Sequence, residues 1–134
     1  MAVKLVAGVF AVAALSSALA TTPPQQNAAV IERGRVLFFQ CNACHSVKPP
    51  ARPQTGPHLE HIVGRTVASV PGYRYSPMLK AKTFVWSRDK LDLWLRNPQE
   101  GFPGMCVPFR GMSSKTDRKA LIAYLEHGGS HKLH

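Results

Sequence analysis

The sequence predicts a small all-α domain of three to five helices. Three segments place apolar side chains at the three- and four-residue spacing of helices that bury one face: residues 28–40, 88–96 and 116–126. No segment alternates apolar and polar residues as a half-exposed strand does, and there is no internal repeat or phosphate-binding glycine loop. The stretches between the helical segments are rich in proline, which disfavours helix interiors and central strands. An all-α fold is the class that satisfies these patterns.

The first predicted helix runs from Ala28 to Gln40, with Asn27 able to cap its start. Residues at helical spacing give it one apolar face: Val30, Gly34, Leu37, Phe38 and Cys41. A glycine in the middle of a helix costs about 1 kcal/mol. Gly34 therefore predicts that another backbone approaches this helix closely.

Two further helices are predicted in the second half of the chain. One spans Arg88 to Arg96, is capped by Ser87 and stops at Asn97-Pro98. The other begins near Thr116, runs to Glu126 and ends before Gly128-Gly129. We expect their apolar residues to form the core: Leu91, Trp94, Leu95, Leu121, Ile122, Tyr124 and Leu125.

A short motif after the first helix carries the chemistry. Cys41-Asn42-Ala43-Cys44-His45 matches the attachment signature of a c-type haem. Each thiol adds to one vinyl group of the porphyrin, and the two thioether bonds hold the ring so that the adjacent histidine lies under the iron as proximal ligand. The motif predicts one covalently attached haem c, with Cys41 and Cys44 as attachment residues and His45 as iron ligand.

Three other interpretations of the motif are weaker. Structural zinc needs four soft or imidazole ligands in paired clusters, and the remaining cysteine, Cys106, has no partner nearby in the sequence. A redox-active dithiol of the thioredoxin type requires a βαβ context that the surrounding pattern lacks. A disulfide between Cys41 and Cys44 leaves His45 unexplained.

The amino terminus has the composition of a secretory signal. Lys4 precedes an apolar run from Leu5 to Leu15, and Ala18-Leu19-Ala20 places small residues where a signal peptidase reads. We divide the chain into a signal peptide (1–20), a flexible leader (21–27), the helical domain (28–127) and a tail (128–134). An uncleaved anchor is the alternative. A cleaved signal predicts a periplasmic or otherwise exported protein, where c-type haem is attached in bacteria.

The chain is strongly basic. Its formal net charge is +10, and loss of Lys4 with the signal leaves +9. Such a charge favours an acidic redox protein, a membrane oxidase or reductase complex, or an anionic membrane surface as partner. The alternative is a charge that only aids solubility. Nucleic acid is disfavoured because the cationic residues are scattered rather than gathered in one stripe. We expect a monomer.

The loop after the motif contains further candidates. Pro57 offers a carbonyl and no amide hydrogen, so its oxygen is an acceptor for the outer nitrogen of His45. Leu59 and Ile62 are expected to pack against the porphyrin edge. His58 and His61 are expected to be solvated surface residues rather than metal ligands.

Three polar or aromatic residues further along could meet the haem propionates. Arg65 could pair with a propionate or remain solvated. Pro71 to Pro77 predicts a turn that contains Tyr73 and Tyr75, whose hydroxyls need partners if they are buried.

Taken in order, these motifs resemble class I cytochrome c, the group of mitochondrial cytochrome c and its soluble bacterial relatives. The resemblance covers residues 28–126. It rests on Gly34-x-x-x-Phe38, the haem motif, Gly56-Pro57-x-Leu59-x-x-x-x-Gly64-Arg65, Pro71-Gly72-Tyr73-x-Tyr75-Ser76, Trp86, Leu95-x-Asn97-Pro98, Pro103-Gly104, Phe109-x-Gly111 and Asp117-Arg118-x-x-Leu121-Ile122-Ala123-Tyr124-Leu125.

The resemblance implies a small cytochrome c fold whose first and last helices cross near Gly34 and Leu121, wrapped around one haem. It also implies roles by position: Pro57 bonded to His45, Leu59 and Phe109 lining the haem, and Arg65, Tyr75 and Trp86 around the propionates. In this family the protein carries electrons and is not a catalyst, so no small-molecule substrate is expected.

One position departs from the family. Its sixth iron ligand is a methionine two residues before the phenylalanine of the Met-x-Phe-x-Gly loop, and that position here is Val107. Valine has no lone pair to donate. The sixth ligand is Met105, the thiolate of Cys106, a more distant group such as Met112, or none.

Two functional classes follow from the sequence. The first is an exported one-electron carrier, either free or as the cytochrome subunit of a periplasmic dehydrogenase complex. The second is a haem protein with an open or unusually ligated sixth position that binds nitric oxide, carbon monoxide or peroxide. No acid or base is placed for peroxide cleavage near residues 105–107, which opposes true catalysis, although weak peroxidase-like activity is compatible with an open iron.

Overall fold

A computed structural model of the chain describes residues 24–104 and 108–128. It contains five α-helices: α1 (Pro24–Phe38), α2 (Pro77–Lys80), α3 (Arg88–Arg96), α4 (Pro98–Gly101) and α5 (Lys115–Glu126). A turn of 3₁₀-helix, Phe39–Cys41, follows α1 directly. In the described ranges, the pairing of extended segments is limited to one antiparallel bridge between Thr66 and Val85. The predicted all-α fold is confirmed.

The crossing of α1 and α5 is the main helix contact of the fold. It is close because Gly34 has no side chain. A Cβ atom at Gly34 would lie 2.1 Å from the carbonyl oxygen of Ala120 and 2.6 Å from Cβ of Tyr124. The close backbone approach predicted from this glycine is therefore present. Beside the crossing, Arg33 Nε donates to Asp117 at 3.0 Å.

The first helix differs from its prediction in two ways. It begins at Pro24 rather than Ala28, so Asn27 lies in its first turn and does not cap it. Proline is favoured in a first helical turn because its missing amide hydrogen has no partner there. Its core face also differs, because Ile31 packs against the core while Val30, assigned to that face from spacing, is 43% exposed.

Side-chain caps explain where the other helices begin. Ser87, Asn97 and Ser114 each accept a backbone amide hydrogen in the first turn of α3, α4 and α5. The predicted Ser87 cap is thus confirmed, and Asn97 both ends α3 and starts α4. α5 begins at Lys115, one residue before the predicted start.

The core lies between α1, α3 and α5 and the extended segments that join them. Its buried apolar residues are Phe38, Ile62, Val67, Trp86, Leu91, Leu95, Phe102, Leu121, Ile122, Tyr124 and Leu125. The core roles predicted for α3 and α5 are confirmed, except that Trp94 is half-buried at the edge of the cluster. Among the described helices, none is long and apolar enough to cross a membrane.

A buried arginine fixes the segment that enters α5. Arg118 is 4% exposed, and its Nε donates to Asp92 of α3 at 2.8 Å. Its Nη1 donates to the carbonyls of Met112 and Ser113, both at 2.8 Å. The same segment is tied to α3 a second time, because the Met112 amide donates to Leu95 O at 2.7 Å. One side chain thereby joins α3, α5 and the residues 112–113 that precede α5.

Acidification is expected to weaken the fold through Asp92. The hydrogen bonds from Arg118 hold the pKa of Asp92 below its usual value. A carboxylate with a lowered folded-state pKa adds stability above its unfolded pKa, and this is lost as the pH falls through the folded pKa. Asp92→Asn should therefore be less stable than the unmodified protein at pH 7, and the difference should shrink below about pH 4.

Urea unfolding at pH 7 and pH 3 measures this difference. Asp89→Asn is the control, since the Asp89 side chain is exposed and forms no ion pair among the described residues. A loss for Asp92→Asn that is the same at both pH values would contradict the assignment.

Candidate functional site

The haem motif occupies a tight turn at the end of α1. The 3₁₀ turn ends at Cys41, whose carbonyl accepts the amide hydrogens of Cys44 at 3.1 Å and His45 at 2.9 Å. Both thiols are free and half-buried. Burial, with a smaller effect of Cys44, raises the pKa of the Cys41 thiol. Two free thiols and one imidazole are therefore held on a single turn.

The ring of His45 is oriented by Pro57. Its Nδ1 lies 2.7 Å from the carbonyl oxygen of Pro57, as predicted. A carbonyl oxygen only accepts, so Nδ1 carries the hydrogen and the lone pair of the neutral ring is at Nε2. This is the tautomer that a metal-binding histidine needs, with its outer nitrogen bonded to the protein.

Gly56 is packed against the same ring. Its amide donates to Cys44 O at 2.8 Å, and two residues after Pro57 the Leu59 amide donates to Ser46 O at 2.8 Å. A Cβ atom at Gly56 would lie 2.4 Å from Cε1 and 2.8 Å from Nε2 of His45. Residues 44–46 and 56–59 therefore enclose the ring of His45 between them. At position 56 there is room for a hydrogen atom but not for a side chain.

Gly56→Ala is expected to displace His45. The added methyl group meets the ring at a distance that real Cβ atoms do not adopt, so the ring must move and its bond to Pro57 must lengthen. We expect a shifted reduction potential and an axial-histidine signal altered in the NMR spectrum of the haem-loaded protein. Ala51→Val is the control, since Ala51 is exposed and has no left-handed backbone. A potential and an axial-histidine signal left unchanged by Gly56→Ala would contradict the contact.

Arg65 is half-buried and holds the loop that carries Pro57. Its Nη1 donates to Glu60 O at 2.8 Å and its Nη2 donates to His58 O at 2.9 Å. Burial lowers its pKa from the ordinary value. The sequence did not indicate these carbonyl partners. Through these hydrogen bonds Arg65 stabilises the conformation of residues 58–60. Its role toward a propionate stays a prediction.

The two tyrosines of the predicted turn lie edge to face, with ring centroids 4.7 Å apart. The Tyr73 hydroxyl donates to Thr55 O. The Tyr75 hydroxyl accepts from the Val70 amide at 3.3 Å, which leaves its own hydrogen available to a second partner. The hydroxyls of Tyr73 and Tyr75 therefore have hydrogen-bond partners in the backbone, at Thr55 O and the Val70 amide. The propionate role of Tyr75 stays a prediction.

The apolar and aromatic residues that were predicted to lie near the haem belong to the hydrophobic core or pack against it. Trp86 is buried and stacks edge to face with Phe84 and Trp94, at centroid distances of 4.9 and 5.9 Å. Leu59 and Phe109 are half-buried against the core, and Ile62 is buried within it. Phe109 also lines a cavity of about 360 Å³ with Asn97, Gln99, Pro108 and Arg110.

Histidines 58 and 61 differ from each other. His61 is exposed, as predicted, whereas His58 is half-buried and its Nδ1 is shielded from solvent without a hydrogen-bond partner. The expectation that both are solvated is therefore wrong for His58. In the part of the chain that the structure describes, no three His, Cys, Asp or Glu residues are grouped so that they could hold a metal ion.

Of the candidates for the sixth iron ligand, Met112 lies among the described residues. Met112 is half-buried against the core. Met105, Cys106 and Val107 lie outside the described residues, as does the predicted signal peptide. Their roles stay predictions.

The motif fits a covalently attached haem. Neither cysteine is paired in a disulfide, His45 presents Nε2 after bonding Pro57 through Nδ1, and Gly56 lets the loop lie against the ring without a side-chain clash. Sequence reasoning missed the contact of Gly56 with His45 and the carbonyl partners of Arg65 and Arg118. The signal for Gly56 was its place directly before the proline that bonds the ring.

Comparison with known proteins places the chain in a family. No model of a protein family matches it. The cytochrome c2 of Rhodomicrobium vannielii is 38% identical over 98 residues, which cover 72% of this chain and 78% of that protein. The cytochrome c of Euglena viridis is 40% identical over 96 residues, covering 71% and 93%. The cytochrome c-550 of Ancylobacter novellus is 37% identical over 97 residues, covering 70% and 91%.

Sequence identities of 37 to 40% over 70 to 72% of the chain are sufficient to assign it to the family of these proteins. The chain belongs to the cytochrome c family, as a class I monohaem electron-transfer protein that carries one covalently attached haem c.

Proposed function

We propose that this chain is an exported one-electron carrier whose haem is attached through Cys41 and Cys44 and ligated by His45. The observation that carries the assignment is the 2.7 Å bond from His45 Nδ1 to the Pro57 carbonyl, which leaves Nε2 as the free lone pair beside two free thiols. When bound, the haem supplies the one-electron couple.

The residues around His45 set its position and basicity. Pro57 O accepts from Nδ1, which makes Nε2 a better donor to a metal and fixes the plane of the ring. Gly56 allows the loop to touch the ring, and Arg65 braces that loop through Glu60 O and His58 O. A ligand held this way needs little rearrangement when the charge at its partner changes by one electron. We propose that Leu59 and Phe109 line the haem and shield it from water, and that Trp86 lies beside its propionates.

We also propose that the protein is exported and that it docks to an acidic partner. The apolar run 5–15 and Ala18-Leu19-Ala20 support a cleaved signal and a periplasmic location. The net charge of +9 after cleavage supports docking to an acidic redox protein or a membrane oxidase or reductase complex. The chain acts free, or as the cytochrome subunit of a periplasmic dehydrogenase complex.

Stopped-flow kinetics of the haem-loaded protein tests the carrier function. We expect fast, reversible electron exchange with an acidic dehydrogenase or with membranes that contain a terminal oxidase, slowing as salt is added because salt screens the attraction. Slow, salt-independent exchange with all of these would overturn the proposal.

A second candidate function rests on Val107. This residue stands where the family has its methionine ligand, so the iron could have an open or unusual sixth position that binds nitric oxide, carbon monoxide or peroxide. The alternatives for that position are no protein ligand, Met105, Cys106 or Met112.

Three substitutions separate these alternatives by absorption spectroscopy. Met105→Ala should change the ferrous spectrum only if its thioether is bound, and Cys106→Ala should change the ferric spectrum only if its thiolate is bound. Val107→Met should convert an open site into a six-coordinate site that refuses carbon monoxide. An unmodified protein that is low-spin, refuses carbon monoxide and is indifferent to all three changes would refute the register from Pro103 to Gly111.

A further inference from the structure

The segment that carries three candidates for the sixth position, residues 105–107, begins directly after Gly104. Phe102 is 8% exposed and belongs to the core, whereas Pro103 and Gly104 are exposed. The φ angle of Gly104 is +83°, in the left-handed region that favours glycine. The chain therefore leaves the core after Phe102 and turns at Gly104, immediately before residues 105–107.

Met78 of helix α2 lies against this turn. A Cβ atom at Gly104 would be 3.0 Å from Cε and 3.8 Å from Sδ of Met78. The methyl end of the Met78 side chain is therefore in contact with the open side of the glycine. The thioether of one short helix and the backbone at the start of the segment 105–107 form an apolar contact.

Helix α2 is itself fixed to the rest of the protein. Ser76 caps it by accepting the Leu79 amide hydrogen at 3.3 Å, and Pro77 lies in its first turn. Leu79 packs against the core. Because Leu79 anchors α2, the contact made by Met78 holds Gly104 in place relative to the core.

The sulfur atom of Met78 belongs to an accessible side chain. Met78 is 37% exposed, although methionine is one of the residue types that are most often buried. Met112, by comparison, is half-buried and packs against the core. An oxidant reaches an exposed thioether more readily than a packed one. Of these two methionines, Met78 is the one that an oxidant in solution meets first.

We propose that Met78 is an oxidation site, and that its oxidation releases the start of the segment 105–107. The oxidant is a hydroperoxide. As its O–O bond breaks, one oxygen atom forms the S–O bond of methionine sulfoxide, and the other leaves as water or, from an organic hydroperoxide, as an alcohol. The sulfur loses two electrons and the peroxide gains them.

The sulfoxide does not suit the contact with Gly104. Oxidation converts a flexible apolar side chain into a polar one. The new oxygen atom is hydrogen-bonded in water and loses those bonds if it is pressed against an apolar surface. The oxidised side chain therefore turns toward solvent, and Gly104 loses its contact with α2. This inference depends neither on the carrier function nor on which residue is the sixth ligand.

Peptide mapping of the haem-loaded protein after treatment with dilute hydrogen peroxide identifies the modified residue. We expect the peptide that contains Met78 to gain one oxygen atom before the peptide that contains Met112. Oxidation of Met112 while Met78 stays intact would overturn the proposal.

Three variants separate the effect of this sulfur from other effects of peroxide. Met78→Leu keeps an apolar side chain of similar size and has no sulfur to oxidise. Met78→Gln places an uncharged polar side chain of similar length at the contact and imitates the sulfoxide. Val36→Gln is the control for replacing an exposed apolar side chain by glutamine, since Val36 is 52% exposed on α1.

Amide hydrogen exchange of residues 104–107 in the haem-loaded protein measures how often the segment opens. We expect peroxide to raise the exchange rate of the unmodified protein about fourfold, the factor that corresponds to losing the burial of one methyl group. Methionine sulfoxide reductase should restore the original rate. Met78→Gln should show the same rise without peroxide. Peroxide-treated Met78→Leu and untreated Val36→Gln should exchange as the unmodified protein does.

Two results of the exchange experiment would contradict the proposal. An equal rise in peroxide-treated Met78→Leu would mean that oxidation of another residue opens the segment. Unchanged exchange in both the oxidised protein and Met78→Gln would mean that Met78 does not hold Gly104. The stopped-flow test of the carrier function can fail without altering any of these results, so the two failures are distinguishable.

Discussion

Replacing both Cys41 and Cys44 by serine is expected to abolish covalent haem attachment. A hydroxyl does not form the thioether, so any haem that binds will be held by His45 alone and will be lost on denaturation. Since a small domain buries little apolar surface of its own, we also expect the double variant to fold poorly. Each single variant should retain one thioether link. Haem retention on denaturing gels measures the covalent attachment, and far-ultraviolet circular dichroism measures the loss of folding.

Cys106→Ser is the matched control for this experiment. It makes the same chemical change at the third cysteine, outside the motif. Its covalent haem should be retained, whatever happens to the sixth position of the iron. Normal covalent haem in the double variant, or its loss in Cys106→Ser, would contradict the assignment of the attachment residues.

Gly34→Ala is expected to destabilise the fold by about 1 to 3 kcal/mol, the usual cost of overpacking a core. At an exposed helix position the same change would stabilise by up to about 1 kcal/mol. The sign is reversed here because the new methyl group would meet the Ala120 carbonyl oxygen at 2.1 Å, and a backbone atom of α5 cannot rotate away. Thermal or urea unfolding of the haem-loaded protein measures the change.

Ala29→Val controls for added bulk in the same helix. Ala29 is exposed, so the change costs only the small loss of helix propensity of a β-branched residue. If Gly34→Ala leaves stability unchanged or raises it, α1 and α5 do not approach as closely as described.

The parts of the fold that follow from local signals could be predicted from the sequence. Helix α3 lies between Ser87 and Asn97 as expected, because a capping hydroxyl and an Asn-Pro pair act on their own neighbours. The one-turn helices α2 and α4 were not predicted, since a single turn has no apolar period to detect. The start of α1 was missed because Pro24-Gln25-Gln26 has the composition of a leader, although proline also begins helices.

The contacts that could not be predicted from local patterns join residues that are distant in the sequence and meet only in the folded protein. Gly34 indicated a close approach because a mid-helix glycine is costly, and the family resemblance placed the crossing near Leu121, one residue from the Ala120 carbonyl that Gly34 meets. Arg118 follows Asp117 in an amphipathic helix and has the pattern of a solvated charge, yet it is buried against Asp92, 26 positions away. Asp117 instead pairs with Arg33, 84 positions away.

At the site, the motif itself was sufficient for the haem and its proximal ligand to be predicted, since spacing and residue type carry that chemistry. The His45 to Pro57 bond was predicted because Pro57 offers a carbonyl acceptor and no amide hydrogen, and the family resemblance implies the same bond. The role of Arg65 as a brace for the Pro57 loop depends on backbone carbonyls, which every residue has and no pattern marks.

Peptide mapping of the exported protein by mass spectrometry tests whether the haem is attached through Cys41 and Cys44. The protein is denatured, extracted with acidic organic solvent to remove any non-covalent haem, and digested. We expect one haem to remain on the peptide that contains Cys41 to His45, through both of its cysteines, and the protein to begin after Ala20. Recovery of that peptide with free thiols or an internal disulfide, with all haem in the solvent, would contradict it.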